Sequence, residues 1–160
     1  MPLSHRAATT DDLHRVACFA LNPQELFYWF PKASWPLTAG QLIATAATRT
    51  ESTVVELDGR VVAHANFLRW AQGGDCAIGQ VVVEPTTRGQ GVGRYLIETM
   101  CTTAFTRYAA RSVSVACFSG NTAGLLFYPP LGFVPQAIEA RRDLHGAPTA
   151  LIHLRRLRAD

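Results

Sequence analysis

Residues 79–93 read Gly79-Gln-Val-Val-Val-Glu-Pro-Thr-Thr-Arg-Gly-Gln-Gly-Val-Gly93, and this stretch decides the fold. Val81, Val82 and Val83 are β-branched in succession, which favours a strand. Glu84-Pro85 ends it, because proline cannot donate to a ladder and holds the residue before it extended. Glycines follow at 89, 91 and 93. From Val92 onward Leu96, Met100 and Ala104 recur at helical spacing, with Tyr95, Phe105 and Tyr108 widening the apolar face. The unit is strand, glycine-rich loop, helix. Main-chain N–H groups at such a junction can converge on an anion without Cβ obstruction, and the helix N-terminus adds partial positive charge. The expected ligand is a phosphate or pyrophosphate. The glycine spacing is not the GxGxxG of a dinucleotide fold, and the loop lacks the lysine of a nucleoside-triphosphate loop. For the loop alone, a glycine-rich turn without a ligand is the plain alternative.

Upstream, Leu3–Ala7 forms a short candidate strand. Thr9 or Thr10 caps a helix with Asp11 and Asp12 in its first turn, Leu13, Val16, Ala17 and Ala20 facing inward, and Asn22-Pro23 as its end. Leu26-Phe27-Tyr28-Trp29-Phe30-Pro31, with Trp35-Pro36 behind it, is apolar on every side. It fits a short helix or turn plugged into the core, or an aromatic wall of an acceptor pocket with Tyr28 and Lys32 as polar handles. Leu37–Thr50 reads as a second helix capped by Thr38, with Leu42, Ile43 and Ala46 inward. Thr53–Leu57 and Arg60–Trp70 pair across Asp58-Gly59, a strong hairpin signal. In the second arm Val62, His64, Asn66 and Leu68 share one face, and Val61, Ala63, Ala65 and Phe67 the other. Gln72-Gly73-Gly74-Asp75 then turns into the strand Cys76–Val83.

Downstream of the long helix, Ser112–Phe118 is a further strand. Ser119 or Asn121 caps a helix through Leu125, Leu126 and Tyr128, which Pro129-Pro130 halts. A strand begins at Leu131–Val134, and the turn His145-Gly146-Ala147-Pro148 leads into a last arm, Thr149–Leu154. The order β-α-α-β-β-β-α-β-α-β-β describes a single α/β (α+β) domain over residues 1–160, a mixed sheet flanked by about four helices.

With 48% apolar and 17% charged residues in 160, disorder is excluded. The net charge is +3, and Lys32 is the one basic residue of 15 that is not arginine. That balance tolerates a polyanionic cofactor but does not signal nucleic acid. Cys18, Cys76, Cys101 and Cys117 form no CxxC pair and sit in apolar segments, so buried free thiols in a reducing compartment are expected. His5, His14, His64, His145 and His153 lack metal-ligand spacing, so no metal is expected. No secretory signal is evident and no apolar run approaches the ~20 residues that span a bilayer, which points to a cytoplasmic protein without a membrane partner.

Arg88-x-x-Gly91-x-Gly93 after a β-branched strand resembles the pyrophosphate loop of GCN5-related N-acetyltransferases (GNAT). The run from Asn121 to Tyr128-x-x-Leu131-Gly132-Phe133, with Gly124 where the family often has alanine, resembles that family's second motif. The two stand in the family's order, and the resemblance covers nearly the whole chain. It implies a mostly antiparallel sheet with a splayed central strand, acetyl-CoA (coenzyme A) as co-substrate, and acyl transfer to an amine. Main-chain groups of Val81, Val82 and Val83 would meet the pantetheine arm and help hold the thioester oxygen. Arg88 and the stretch Gly89, Gln90, Gly91, Val92, Gly93 and Arg94 would hold the pyrophosphate. Asn121 would bind the pantetheine or a water, and Tyr128 would protonate the leaving thiolate, its phenol being protonated below a pKa of ~10. The structural alternatives are an ordinary buried strand for the valines, helix capping for Asn121 and aromatic packing for Tyr128.

Glu25-Leu26-Phe27-Tyr28 before Pro31-Lys32, together with Ala65-Asn66-Phe67, resembles a small bacterial subgroup that acetylates the side chain of a peptide's C-terminal lysine. That implies Phe27, Tyr28 and Asn66 as substrate-binding residues and a peptide or small-molecule amine as partner, the protein being a monomer or homodimer. Deprotonating a lysine amine at pH 7 costs about 4–5 kcal/mol. His64, Asp75 and Glu84 are candidate bases, but none lies on a diagnostic motif and no base is assigned. An acetyltransferase for a small amine, an antibiotic or a protein α-amine stays open, as does a non-catalytic acetyl-CoA sensor.

Overall fold

The computed structural model describes residues 2–159. Seven strands, β1 (Leu3–Ala7), β2 (Thr50–Leu57), β3 (Arg60–Arg69), β4 (Asp75–Val83), β5 (Ser112–Phe118), β6 (Val134–Arg142) and β7 (Pro148–Leu157), form one sheet in the order β1-β2-β3-β4-β5-β7-β6. Every neighbouring pair is antiparallel except β4–β5. Five helices flank it: α1 (Thr10–Val16), α2 (Pro23–Trp29), α3 (Ala39–Ala46), α4 (Val92–Arg107) and α5 (Thr122–Phe127). One core joins α4 to the sheet through Leu96, Ile97 and Met100 against Ala63, Phe67 and Val113. A second joins α1, α2 and α3 to the opposite face through Val16, Leu26 and Leu42 against Val54, Val61 and Val82. Covered on both faces, β3 is buried from Val61 to Phe67.

The local chemistry explains the element ends. Thr9 and Asp12 make a reciprocal capping box at the start of α1. Asp58 and Gly59 both take positive φ, 53° and 75°, the turn that matches strand twist in a two-residue hairpin. Asn22-Pro23 does not simply end the first helix. Asn22 accepts the Glu25 N–H and Pro23 sits at the first helical position, where its missing N–H costs nothing, so the aromatic segment becomes α2, a fifth helix. The second helix is shorter than its apolar pattern, ending at Ala46. Thr48 and Arg49 donate to the carbonyls of Thr45 and Ala46, tightening the last turn, and Thr50 already pairs with Phe67. Tyr128 caps α5 rather than lying within it, and β7 runs on to Leu157 because β5 offers pairing from Phe118 down to Ser112. Of the four free cysteines Cys76, Cys101 and Cys117 are buried, but Cys18 is exposed at the outer side of the α1 end.

Candidate active site

The β4–β5 ladder holds only from Asp75↔Ser112 to Ala77↔Ser114. Beyond it β4 continues to Val83 and β5 to Phe118 without pairing each other. The β3–β4 register shifts between His64↔Val82 and Asn66↔Gly79, and Gln80 stands in that shift at φ 49°. Such a bulge bends the strand and increases its twist, and it falls where β4 leaves β5. The result is an open cleft of about 1430 Å³ whose walls include Val81, Val82 and Val83 on one side and Cys117, Asn121 and Tyr128 on the other.

The loop after β4 closes one end. A 3₁₀ turn, Pro85–Thr87, leads to Gly89 and Gly91 at φ 78° and 84°, and apart from the adjoining residues nothing lies within 4 Å of where a Cβ would stand on either. Gly91 is the N-cap of α4 and supplies no side-chain cap, so the first N–H groups of a 16-residue helix are left for a ligand. Gly93, Arg94 and Gly89 line the cleft. A Cβ on Gly93 would come within 3.2 Å of the Phe127 ring, so loop and α5 approach closely there. Val92 is buried, which leaves its main chain as the part able to reach a ligand, and the Gln90 amide turns back to the Thr86 carbonyl at 3.4 Å. Arg88 donates to both oxygens of Glu25, at 3.0 and 2.6 Å, tying the loop to α2. An open, glycine-walled helix N-terminus at the end of a long cleft fits the pyrophosphate and pantetheine of coenzyme A.

On the far wall Asn121 caps α5 by accepting the Gly124 N–H at 3.1 Å. Tyr128 is buried, its ring edge-on to Phe127 and Phe133 at 5.0 and 5.7 Å. Burial, and secondarily the neighbouring Cys117, push its phenol well above the ordinary tyrosine value, so it stays protonated at neutral pH. The α2 segment spans the open end. Phe27 stacks on Phe118 at 4.5 Å and does not line the cleft, whereas Tyr28 does, its hydroxyl lying over Gly120. Trp29 and Phe30 reach both core and cleft.

Asn66 is fully buried behind the wall rather than on it. Its Oδ1 accepts from Arg49 Nη1 at 3.1 Å and its Nδ2 donates to Gln80 Oε1 at 2.9 Å. Arg49 and Gln80 themselves line the cleft. Arg49 was invisible as a site residue in sequence, where it reads as the tail of a helix. Burial lowers its pKa from the ordinary arginine value. The three candidate bases are engaged elsewhere. Glu84 is held by Arg15 and Arg60, and Asp75 by Arg69, Ser112 and Ser114. His64 is buried with Nδ1 3.1 Å from the Gln80 carbonyl, and desolvation drives its pKa down to about 4.

Residues 15–133 match the sequence profile of the Acetyltransferase (GNAT) family. Solved structures share the fold across nearly the whole chain. A provisionally assigned phosphinothricin N-acetyltransferase is 22% identical, with 99% of this chain and 100% of that one covered at a TM-score of 0.81. A variant spermidine N-acetyltransferase from Vibrio cholerae is 18% identical, with 97% and 93% covered at 0.78. A provisionally assigned acetyltransferase from Salmonella typhimurium, with its cofactor acetyl-CoA, is 20% identical, with 97% and 93% covered at 0.72. No curated protein matches the chain. The chain belongs to the GNAT acetyltransferase family and is an acetyl-CoA-dependent N-acetyltransferase. Among the described residues no helix is long and apolar enough to cross a membrane, and no group of His, Cys, Asp and Glu could hold a metal.

Proposed function

We propose that the protein transfers acetyl from acetyl-CoA to a lysine side-chain amine at the C-terminus of a peptide, with Tyr128 as general acid. The observation that carries the mechanism is a protonated, buried phenol on the cleft wall opposite the Val81–Val83 main chain. Acetyl-CoA supplies an activated thioester, so a proton must reach sulfur as the thiol leaves and another must leave the attacking amine. Tyr128 holds the first proton in a site where burial keeps it on oxygen. For the second, Glu25, the one carboxylate among the described residues that lines the cleft, is occupied by Arg88, which favours loss of the amine proton to water. The amides of residues 89–94 would hold the pyrophosphate, and the segment Val81–Val83, which pairs with β3 on one side but not with β5 on the other, would meet the pantetheine arm. The aromatic walls at Tyr28, Trp29 and Phe30 suit the methylene chain of a lysine.

The test is release of coenzyme A thiol with a panel of amines: peptides ending in free lysine, the same peptides with lysine internal, polyamines, and peptides whose only amine is the α-amine. Preferential turnover of the C-terminal lysine supports the assignment. Preference for a polyamine or an α-amine overturns it.

A further inference from the structure

Resting on that reading, we propose that the acceptor must carry a carboxylate beside its amine and that Arg49, on the wall of the cleft, receives it. Three arginines are half-buried among the described residues: Arg15, Arg49 and Arg156. Arg15 is paired with Glu84 and Arg156 with Glu98, but Arg49 has no acidic partner among the described residues. A guanidinium has five N–H donors, and the bond at 3.1 Å to the neutral Asn66 Oδ1 uses one of them. Taking a cation out of water without a counter-charge is unfavourable, which is why burial lowers its pKa. Among the described residues the cleft contains no acid free to relieve this, since Glu25 already accepts two bonds from Arg88.

The surroundings hold Arg49 in place and carry a surplus of donors. Arginine can only donate, so Asn66 must turn its oxygen to Arg49 and its amide nitrogen to Gln80. Gln80 must then present its oxygen to Asn66, at 2.9 Å, which leaves the buried Gln80 Nε2 without an acceptor. Arg49, Asn66 and Gln80 thus form a chain of aligned donors that ends on no acceptor. Gly79 makes room for it, because a Cβ there would stand 2.6 Å from Arg49 Nη1 and 2.7 Å from Leu68 Cδ2. A carboxylate offers the two oxygens that match the guanidinium fork. A polycationic acceptor finds here the wrong sign of charge.

The experiment compares kcat/KM and calorimetric binding for matched acceptors with a free carboxylate and with a carboxamide: a peptide ending in lysine, and a simple α-amino acid. The wild type is expected to prefer the free acid at least tenfold. Arg49→Gln should bring the acid-to-amide ratio near one, Arg49→Lys should restore part of it, and the KM for acetyl-CoA should hold. Gly79→Ala, which leaves Arg49 in the chain but crowds its guanidinium, should also lower the ratio. Equal use or binding of acid and amide by the wild type overturns the proposal, as does an Arg49→Gln variant that keeps the full preference. If lysine peptides are inert while the amino-acid pair shows the Arg49-dependent preference, the lysine assignment fails and the carboxylate site stands. If lysine peptides are acetylated equally as acid and amide, the carboxylate site fails and lysine acetylation stands.

Discussion

Replacing Tyr128 by phenylalanine isolates the proton donor from everything else the residue does. The ring would keep its edge contacts with Phe127 and Phe133, at 5.0 and 5.7 Å, so the cleft wall should not collapse. Only burial and the nearby Cys117 perturb the phenol, and no ion pair depends on the hydroxyl that is removed. What is lost is a positioned acid. General acid catalysis contributes typically 10²–10⁴-fold, so kcat should fall by that factor, equivalent to about 3–5 kcal/mol in the barrier. The KM for acetyl-CoA should stay within about twofold, since the interaction matters as charge develops on sulfur and not in the ground state. The assay is thiol release at saturating amine, with thermal melting to show that the variant is folded. The wild-type rate should show no alkaline limb from Tyr128 below about pH 10, because its pKa is raised from the reference value. Unchanged turnover in a folded variant would refute Tyr128 as the acid. A fall in acetyl-CoA affinity matching the fall in rate would reassign the residue to binding.

Three further outcomes follow from particular residues. Folding lowers the His64 pKa from 6.5 to about 4, so the unfolded chain takes up this proton first. The His64 contribution is complete above about pH 6.5 and is lost as the pH falls through that window, by about 3 kcal/mol. Urea midpoints of the His64→Gln variant should lack this fall; an identical fall in both proteins would show that other groups cause it. Gly91→Ala should cost about 1 kcal/mol through its positive φ and, if the loop amides bind pyrophosphate, raise the KM for acetyl-CoA several-fold. Gly73→Ala, at φ 71° with equally open space, should carry similar strain without the KM effect. Leu96→Ala, at a fully buried position of α4, should destabilise by about 2–5 kcal/mol in a denaturant titration; a loss under 1 kcal/mol would show that the core relaxes around it.

The elements signalled by local chemistry were legible in the sequence. β-Branched runs gave β4 and β5, Asp58-Gly59 gave the hairpin, and the glycine loop with the Asn121-to-Phe133 run gave the family. Asn22-Pro23 misled because the same pair that can end one helix can also start the next, and the choice depends on whether the aromatic segment finds a core to enter. Leu26 and Trp29 find it against Val61 and Val82, residues distant in sequence. Asn66, expected to touch substrate, sits behind Arg49 and Gln80, and alternation along a strand could not reveal that, since β3 is covered on both faces.

The sequence by itself determined the strand–loop–helix unit and the order of strands and helices, because those follow from periodicity, turn residues and spacing within short segments, and the likeness of its two motifs to the acetyltransferase family implied the acyl-CoA chemistry. Tertiary structure alone decided where β4 parts from β5, which carboxylates are already neutralised, and which half-buried arginine among the described residues is not. Arg49 is one of fourteen arginines in the chain. What distinguishes it is burial without an acidic partner, a property of its neighbours in space that no local pattern encodes.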